Sequence, residues 1–327
     1  MPLSHPRRGL LERRLLIVTG KGGTGKTSVV AALAQAAARA GRRVLVAEAG
    51  RDEHVPRLLA PGTAAAGYAG LELRPGLTAM RVDPYEALAE YLSLQLPVRG
   101  LVSRVLRNRG FRQLMDAAPG WRELITLGKV WHLEQQRNAD GSPRYDLLIV
   151  DAPATGHGLT FLDVPRVVGS AVRAGPLRRN ASLVQEMITD PDATLLVPVA
   201  LAEELPARET AELVERLGRD VGVAVDRVVV NAVMPAPFPA FPDLDERLAR
   251  LPAETSLPGL PPPRVLARCA GHLRSRYELN RHYVAEIERW TGLPACTLPL
   301  IPQGVCGPEE LDVLAGALLE PAAAEAA

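Results

Sequence analysis

The chain has few cysteines and lacks long apolar runs. Three cysteines, Cys269, Cys296 and Cys306, are scattered without any C-x-x-C pair, so a disulfide framework is excluded and idle thiols are expected. No segment approaches the roughly 18 continuous apolar residues of a membrane span, and the first twenty residues lack the apolar core of a signal peptide. We therefore expect a cytoplasmic protein without a membrane span.

Excess charge of either sign is also absent. The formal net charge is +1, so the sequence has no excess of positive charge that would indicate binding to nucleic acid or anionic lipid. The arginines at 7, 8, 13 and 14 are interrupted and predict a solvated N-terminus rather than a basic binding arm. With 327 residues and 47% apolar content, the chain can bury one large α/β core or two small ones.

Short aliphatic runs alternate with long amphipathic segments, the pattern of βαβ units wound into a mostly parallel, doubly wound α/β sheet. Strands are predicted near residues 14–19, 43–48, 78–82, 145–151, 193–199, 226–231 and 296–301. Helices are predicted at 26–40, 85–96, 100–117, 121–137, 158–175, 203–218, 264–290 and 308–319. We expect a single domain over 1–327, with a helical insertion at 84–140, a surface loop from Pro235 to Pro263 and a frayed tail at 321–327.

A phosphate-binding loop follows the first predicted strand. Its pattern G-x-x-x-x-G-K-[ST] lies between an apolar run and an Ala-rich helix, which is the context such a loop requires. Glycines let successive N–H groups point into one concavity, and the helix N-terminus adds to the field there. ATP with Mg²⁺ is the expected ligand, with Lys26 on the phosphates and the Thr27 hydroxyl on the metal. The predicted nucleotide-binding residues are Gly22, Gly23, Thr24, Gly25, Lys26, Thr27 and Ser28.

A second motif predicts the metal carboxylate. The run Tyr145-Asp146-Leu147-Leu148-Ile149-Val150-Asp151 is a hydrophobic strand that ends in an acid. A strand-terminal carboxylate lies at the edge of a parallel sheet where the phosphate loop also lies. Asp151 is therefore predicted to hold Mg²⁺ together with Thr27. Gly156, in the Ala152-Pro153-Ala154-Thr155-Gly156-His157 segment, permits the turn that a γ-phosphate sensor needs.

Lys21, a second lysine at the front of the loop, resembles the signature of the deviant phosphate-loop ATPases, K-G-G-x-G-K-[ST]. In that family the lysine crosses a dimer interface to the nucleotide of the opposite subunit. The resemblance implies a homodimer, or a heterodimer with a related ATPase, in which Lys21 supplies transition-state charge.

Further motifs resemble the ArsA-type ATPases, the family of the arsenite-pump ATPase and of the ATPases that deliver tail-anchored membrane proteins. The D-x-P-x-T-G-H pattern from Asp151 is similar to its switch II, and Glu209-Thr210 resembles the end of its P-E-x-L-x-x-x-E-T signature. The resemblance implies that Asn231 contacts the adenine edge and that the loop containing Pro302 closes over the base. The matches run from residue 14 to about 315.

The chain departs from this family after the second strand. Family members usually carry D-P-A-H there, with the Asp orienting the attacking water, whereas an ungapped comparison places Gly50 at that position. The E-x-G-R pattern of Glu48 to Arg51 is similar to a divergent bacterial subgroup. Glu48 is the first candidate for the hydrolytic carboxylate and Asp52 the second.

The client is not indicated by these motifs. The paired cysteines and Met-rich groove of eukaryotic-type tail-anchored-protein carriers have no counterpart here, and three separated cysteines do not predict arsenite capture. The expected function is an ATP hydrolase in which nucleotide state rearranges switch II for an unknown protein client. Two alternatives stay open: a nucleotide-binding subunit with little hydrolysis, and a partition or positioning ATPase.

Overall fold

The computed structural model describes residues 9–50, 52–95, 108–117, 120–154, 158–252, 255 and 258–320. Its strands form one eight-stranded sheet in the order β3-β4-β2-β5-β1-β6-β7-β8. All neighbouring strands are parallel except β3 and β4, which are antiparallel. The strands are β1 Leu15–Gly20, β2 Val44–Glu48, β3 Leu71–Arg74, β4 Leu77–Arg81, β5 Leu147–Asp151, β6 Thr194–Leu201, β7 Val228–Val233 and β8 Ala295–Pro299.

Helices cover both faces of this sheet, so the predicted doubly wound α/β class is confirmed. In chain order they are α1 Lys26–Arg39, α2 Val55–Leu59, α3 Pro84–Gln95, α4 Arg109–Ala117, α5 Trp121–Glu134, α6 Gly158–Ala171, α7 Pro176–Thr189, α8 Glu204–Arg216, α9 Leu244–Ala249, α10 Pro263–Thr291 and α11 Pro308–Leu319. Among the described residues, none of these helices is long and apolar enough to cross a membrane.

Successive side chains of the central strand β1 point to opposite faces of the sheet and pack in two different core clusters. Leu16 and Val18 of β1 belong to the cluster that contains α1 and α11, whereas Leu15 and Ile17 belong to the cluster that contains α5 and α6. Because β1 is buried on both sides, it is a continuous hydrophobic run, as expected for a central parallel strand. This burial holds β1 rigidly in the sheet and so positions its carboxyl end, where the phosphate loop begins.

The predicted strands agree with the structure to within two residues at each end, but one strand was missed. Leu71–Arg74 forms a hairpin with β4 through Gly76, whose φ of +78° suits a tight turn. This strand has only four residues, too few for an alternation of apolar and polar residues to identify it in the sequence. This hairpin forms one edge of the sheet.

Two predictions about the later helices were wrong. The single helix predicted at 158–175 ends at Ala171, and a second helix begins at Pro176, because Gly175 and Pro176 interrupt the first and start the next. The stretch from Pro235 to Pro263 contains the short helix Leu244–Ala249, where the chain has no proline. Residues 100–107 of the helix predicted at 100–117 and the tail at 321–327 lie outside the described residues.

The assigned core can be tested by substitution of one buried and one exposed residue. Phe161 of α6 is 1% exposed and packs in the cluster under β5, so Phe161→Ala should lower the free energy of unfolding by about 3–5 kcal/mol. Val313 of α11 is 54% exposed, and Val313→Ala should change it by less than about 0.5 kcal/mol. Urea denaturation of both variants checks this, and equal losses would contradict the assigned core.

Candidate functional site

The loop Lys21 to Gly25 connects β1 to α1 at the centre of the sheet. A Cβ at Gly20 would lie 2.2 Å from the carbonyl oxygen of Val199 on β6, so this position has no room for a side chain. Gly25 has φ +88°, and a Cβ there would lie 2.1 Å from the Asn231 amide nitrogen. The glycines are therefore required both by backbone conformation and by the close approach of residues on β6 and β7.

Asn231 supports the phosphate loop. Its Nδ2 donates a hydrogen bond of 2.9 Å to the Thr24 carbonyl oxygen, while Thr24 Oγ1 donates to the Lys21 carbonyl oxygen at 3.0 Å. Asn231 lies on β7, two strands away from β1. The structure thus gives this side chain a contact with the loop that its position in the sequence does not reveal, and its predicted contact with adenine stays a prediction.

Lys26 is folded over the same loop. Its Nζ donates to the Lys21 carbonyl oxygen at 3.0 Å. Burial lowers the pKa of Lys26, while the nearby Asp151 carboxylate acts in the opposite direction. A partly desolvated ammonium at a loop of backbone N–H groups is suited to bind phosphate oxygens.

Thr27 and Asp151, the two residues predicted to hold Mg²⁺, lie next to each other. Thr27 Oγ1 donates a hydrogen bond of 2.7 Å to Asp151 Oδ2. Burial raises the pKa of Asp151, and the Thr27 hydrogen bond and the Lys26 charge counteract part of this. A hydroxyl and a carboxylate provide the hard oxygen donors that Mg²⁺ prefers. Within the described residues no three His, Cys, Asp or Glu side chains cluster in a way that could hold a metal ion.

Glu48 lies beside Asp151 in the paired strands β2 and β5. It is 2% exposed, and its Oε1 accepts hydrogen bonds from the backbone N–H of His54 at 2.8 Å and of Val55 at 3.1 Å. Its Oε2 is buried and has no hydrogen-bond partner in the described part of the chain. Burial raises the pKa of Glu48 to about 7, although the two backbone hydrogen bonds lower it.

The other acids after β2 have different environments. Asp52 is exposed. Glu53 accepts hydrogen bonds from the backbone of Ala66 at 2.6 Å and Gly67 at 3.1 Å, and it pairs with Arg81 at 3.3 Å. Sequence reasoning missed Glu53, whose contacts hold the segment after α2 against β4.

Lys21 forms an ion pair within its own chain. Its Nζ lies 2.5 Å from Glu209 Oε1 on α8, and the two side chains are 41% and 42% exposed. Exposed pairs of this kind contribute only about 0–1 kcal/mol to stability. The contact therefore holds Lys21 weakly.

The remaining predicted residues surround this centre. Gly22 is exposed, Ser28 is half-buried in the first turn of α1, and Pro302 is exposed in the loop after β8. A Cβ at Gly22 would lie 3.9 Å from the Ala154 side chain, so the loop faces the segment that follows Asp151. The predicted switch residues Thr155, Gly156 and His157 lie outside the described residues.

Comparison with known proteins identifies similar chains. A family profile described as anion-transporting ATPase matches residues 13–184. ATPase BagA of Mycobacterium tuberculosis is 33% identical over 229 residues, which cover 68% of this chain and 66% of BagA. An arsenical pump-driving ATPase of Acidiphilium multivorum is 29% identical over 67% of this chain, a match that spans 39% of that protein. ATPase GET3 of Kluyveromyces lactis is 26% identical over 69% of this chain and 73% of its own length.

The buried carboxyl of Glu48 makes stability depend on pH. Its pKa rises from 4.5 to about 7 on folding, a difference on the order of 3 kcal/mol. Since the folded state holds this proton more tightly than the unfolded state, the contribution is complete below pH ~4.5 and is lost as pH rises through about 7. Glu48→Gln, which retains the Oε1 acceptor, should match the wild type near pH 4 and exceed its free energy of unfolding at pH 8.

Urea denaturation in EDTA without nucleotide measures this difference. Glu212→Gln, an exposed acid on α8, serves as the matched control and should show the wild-type pH dependence. A Glu48→Gln variant with an unchanged pH profile would contradict the raised pKa.

Proposed function

This chain belongs to the anion-transporting ATPase family, the ArsA-type ATPases, and from that premise we propose that it is a Mg²⁺-dependent ATPase working as a dimeric switch. The single observation that carries the proposal is the hydrogen bond between Thr27 and Asp151, directly beside Lys26. This arrangement supplies the three groups that phosphoryl transfer from a Mg²⁺-nucleotide requires. The chain spans 66% or less of the mycobacterial and arsenical-pump relatives named above, so the activity of a whole relative is carried over only as a proposal.

In this proposal the loop N–H groups from Gly22 to Thr27 bind the phosphates, and Lys26 leaves the Lys21 carbonyl oxygen to contact the β- and γ-phosphates. Thr27 Oγ1 and Asp151 would hold a Mg²⁺ ion, which would supply positive charge at the transferring phosphoryl group. Asn231 keeps the loop in place through Thr24 and is proposed to contact the adenine edge, with the Pro302 loop over the base.

Glu48 is the proposed hydrolytic carboxylate. Two backbone N–H groups orient its Oε1, its Oε2 has no partner in the described residues, and its carboxyl neighbours Asp151. A pKa of about 7 suits a general base that works near neutral pH. Because Oε2 is buried, water reaches it only if the segment after β2 moves when nucleotide binds.

Lys21 is proposed to serve the partner subunit. Its pair with Glu209 is exposed and weak, so an approaching nucleotide phosphate can replace the carboxylate at small cost. The partner is a second copy of this chain or a related ATPase. The segment after Asp151 would carry the change to α6 and from there to the bound client.

The second candidate function is a nucleotide-binding subunit with little hydrolysis. The burial of Glu48 favours it, because a carboxylate that only caps the start of α2 would leave no base at the γ-phosphate. Turnover measurements separate the two functions.

The cross-dimer mechanism predicts a large effect at Lys21. Lys21→Ala should lower steady-state Mg-ATP turnover by about 10³-fold or more, the size of an arginine-finger effect, while nucleotide still binds. Arg39→Ala, an exposed cation at the far end of α1, should leave turnover unchanged. Light scattering should show dimers that depend on nucleotide, and a Lys21→Ala protein with wild-type turnover would contradict the mechanism.

The two candidate carboxylates are distinguished by a matched pair of amides. Glu48→Gln should lower turnover by about 100-fold or more at saturating ATP, whereas Asp52→Asn should change it by less than about 3-fold. The pH profile of the wild-type kcat should rise as Glu48 ionises near its pKa of about 7. If Glu48→Gln turns over normally, the carboxylate is only a helix cap; if the wild type never turns over, the binding-subunit function holds.

A further inference from the structure

A groove lies between α3, α5 and α7 and is lined by neither the phosphate loop nor Asp151. Its volume is about 650 Å³, within the range of small-molecule sites. Leu124 and Ile125 of α5 and Leu183 and Val184 of α7 form apolar walls. The groove therefore offers a small ligand an apolar surface.

Gly128 leaves the floor of this groove open. It lies in the middle of α5, where glycine destabilises a helix by about 1 kcal/mol relative to alanine. Its φ is not positive, and a Cβ there would meet nothing within 4 Å. Neither backbone conformation nor packing requires glycine at this position, but a larger residue would fill the space between the helices.

The charged groups inside the groove are largely paired. Glu90 accepts a hydrogen bond of 2.6 Å from Lys129, which is 9% exposed, and another from the Tyr68 hydroxyl. Burial acts to raise the pKa of Glu90, but these hydrogen bonds outweigh it and the pKa is lowered. His132 Nε2 lies 3.8 Å from the same carboxylate. Glu90 and Lys129 thus form an ion pair whose net charge is zero.

A cation remains at the rim. Arg179 of α7 lines the groove, is exposed and forms no ion pair within the described part of the chain. His132 also lines the groove, and 42% of its side chain is exposed. Asn180, beside Arg179, donates a hydrogen bond of 2.8 Å to the Tyr91 hydroxyl, which joins α7 to α3 at this end of the groove. The charge at this end is complementary to an anion.

The groove continues away from this cation. A second hollow of about 380 Å³ shares Trp131 and Leu183 with the first and reaches the beginnings of β1 and β6. Glu186 and Asp190 line this hollow, where Arg14 is already paired with Glu134, so the hollow is unfavourable for an anionic group. An elongated ligand is thus oriented with its anion at Arg179 and its apolar body along Trp131 and Leu183.

From this arrangement we propose that the groove between α3, α5 and α7 binds a small amphiphilic anion, with a carboxylate or sulfate head on an apolar body. Binding itself does not depend on ATP. The coupling of this binding to the nucleotide state rests on the proposed function. It would pass through α6, the first helix after Asp151 in the chain, because α7 packs against α6. A bound amphiphile then acts as the client or as a regulator of the switch.

The test uses the full chain without nucleotide and anilinonaphthalene sulfonate, an anionic fluorescent probe with an apolar body. We expect saturable binding to one site, displaced by decanoate but not by decyltrimethylammonium of equal chain length. Gly128→Leu, which fills the floor, should weaken binding by about tenfold or more, and Arg179→Glu by about 3- to 5-fold. Gly316→Leu is the matched control, because Gly316 is also within a helix with nothing near its Cβ.

Several results would overturn the proposal. Equal binding by Gly128→Leu and Gly316→Leu would mean that the probe lies elsewhere, and equal displacement by the cationic amphiphile would exclude selection by charge. Binding only to vesicles of anionic phospholipid, and not to monomeric decanoate, would indicate a membrane surface instead. Since no ATP is present, these results are independent of whether the chain hydrolyses ATP. A separate titration with Mg-ATP tests the coupling alone.

Discussion

The hydrogen bond between Thr27 and Asp151 joins two parts of the chain on which the whole site depends. One partner is in the first turn of α1, and the other is at the end of β5, next to β1 in the sheet. The contact forms only because β1 and β5 are parallel neighbours in a register that brings Val18 beside Asp151. The buried clusters on both faces of β1 hold that register, since a slip of one residue would exchange the side chains that pack in the two clusters.

Local features of this site could be predicted from the sequence. The phosphate loop is one contiguous segment of the sequence. Its glycines indicate the tight turn directly, because few other residues adopt that backbone conformation. Asp151 could be placed because the end of a buried parallel strand always lies at the carboxyl edge of the sheet. The strands of the central sheet could likewise be placed, because buried parallel strands are continuous aliphatic runs, whereas the hairpin strand Leu71–Arg74 is too short to be recognised.

Contacts between distant segments could not be predicted in the same way. The hydrogen bond from Asn231 to Thr24 and the pair of Lys21 with Glu209 each join residues about two hundred positions apart. No periodicity encodes such contacts, which depend on strand order and on the close approach at Gly25. Glu48 shows the same limit: its position at a strand end made it a candidate for the hydrolytic carboxylate, but nothing in the sequence indicates that the turn before α2 folds back over it and donates two N–H groups.

The buried Glu48 connects the stability of the fold to the proposed switch. A carboxylate with one oriented oxygen and one unpartnered oxygen in the interior is costly, and protonation near neutral pH relieves much of that cost. The start of α2 is therefore held by a group whose charge state is balanced close to working pH. Under the proposed function, a cation or phosphate bound near the neighbouring Asp151 would change that balance, so nucleotide binding would be linked to the position of α2 across a single pair of strands.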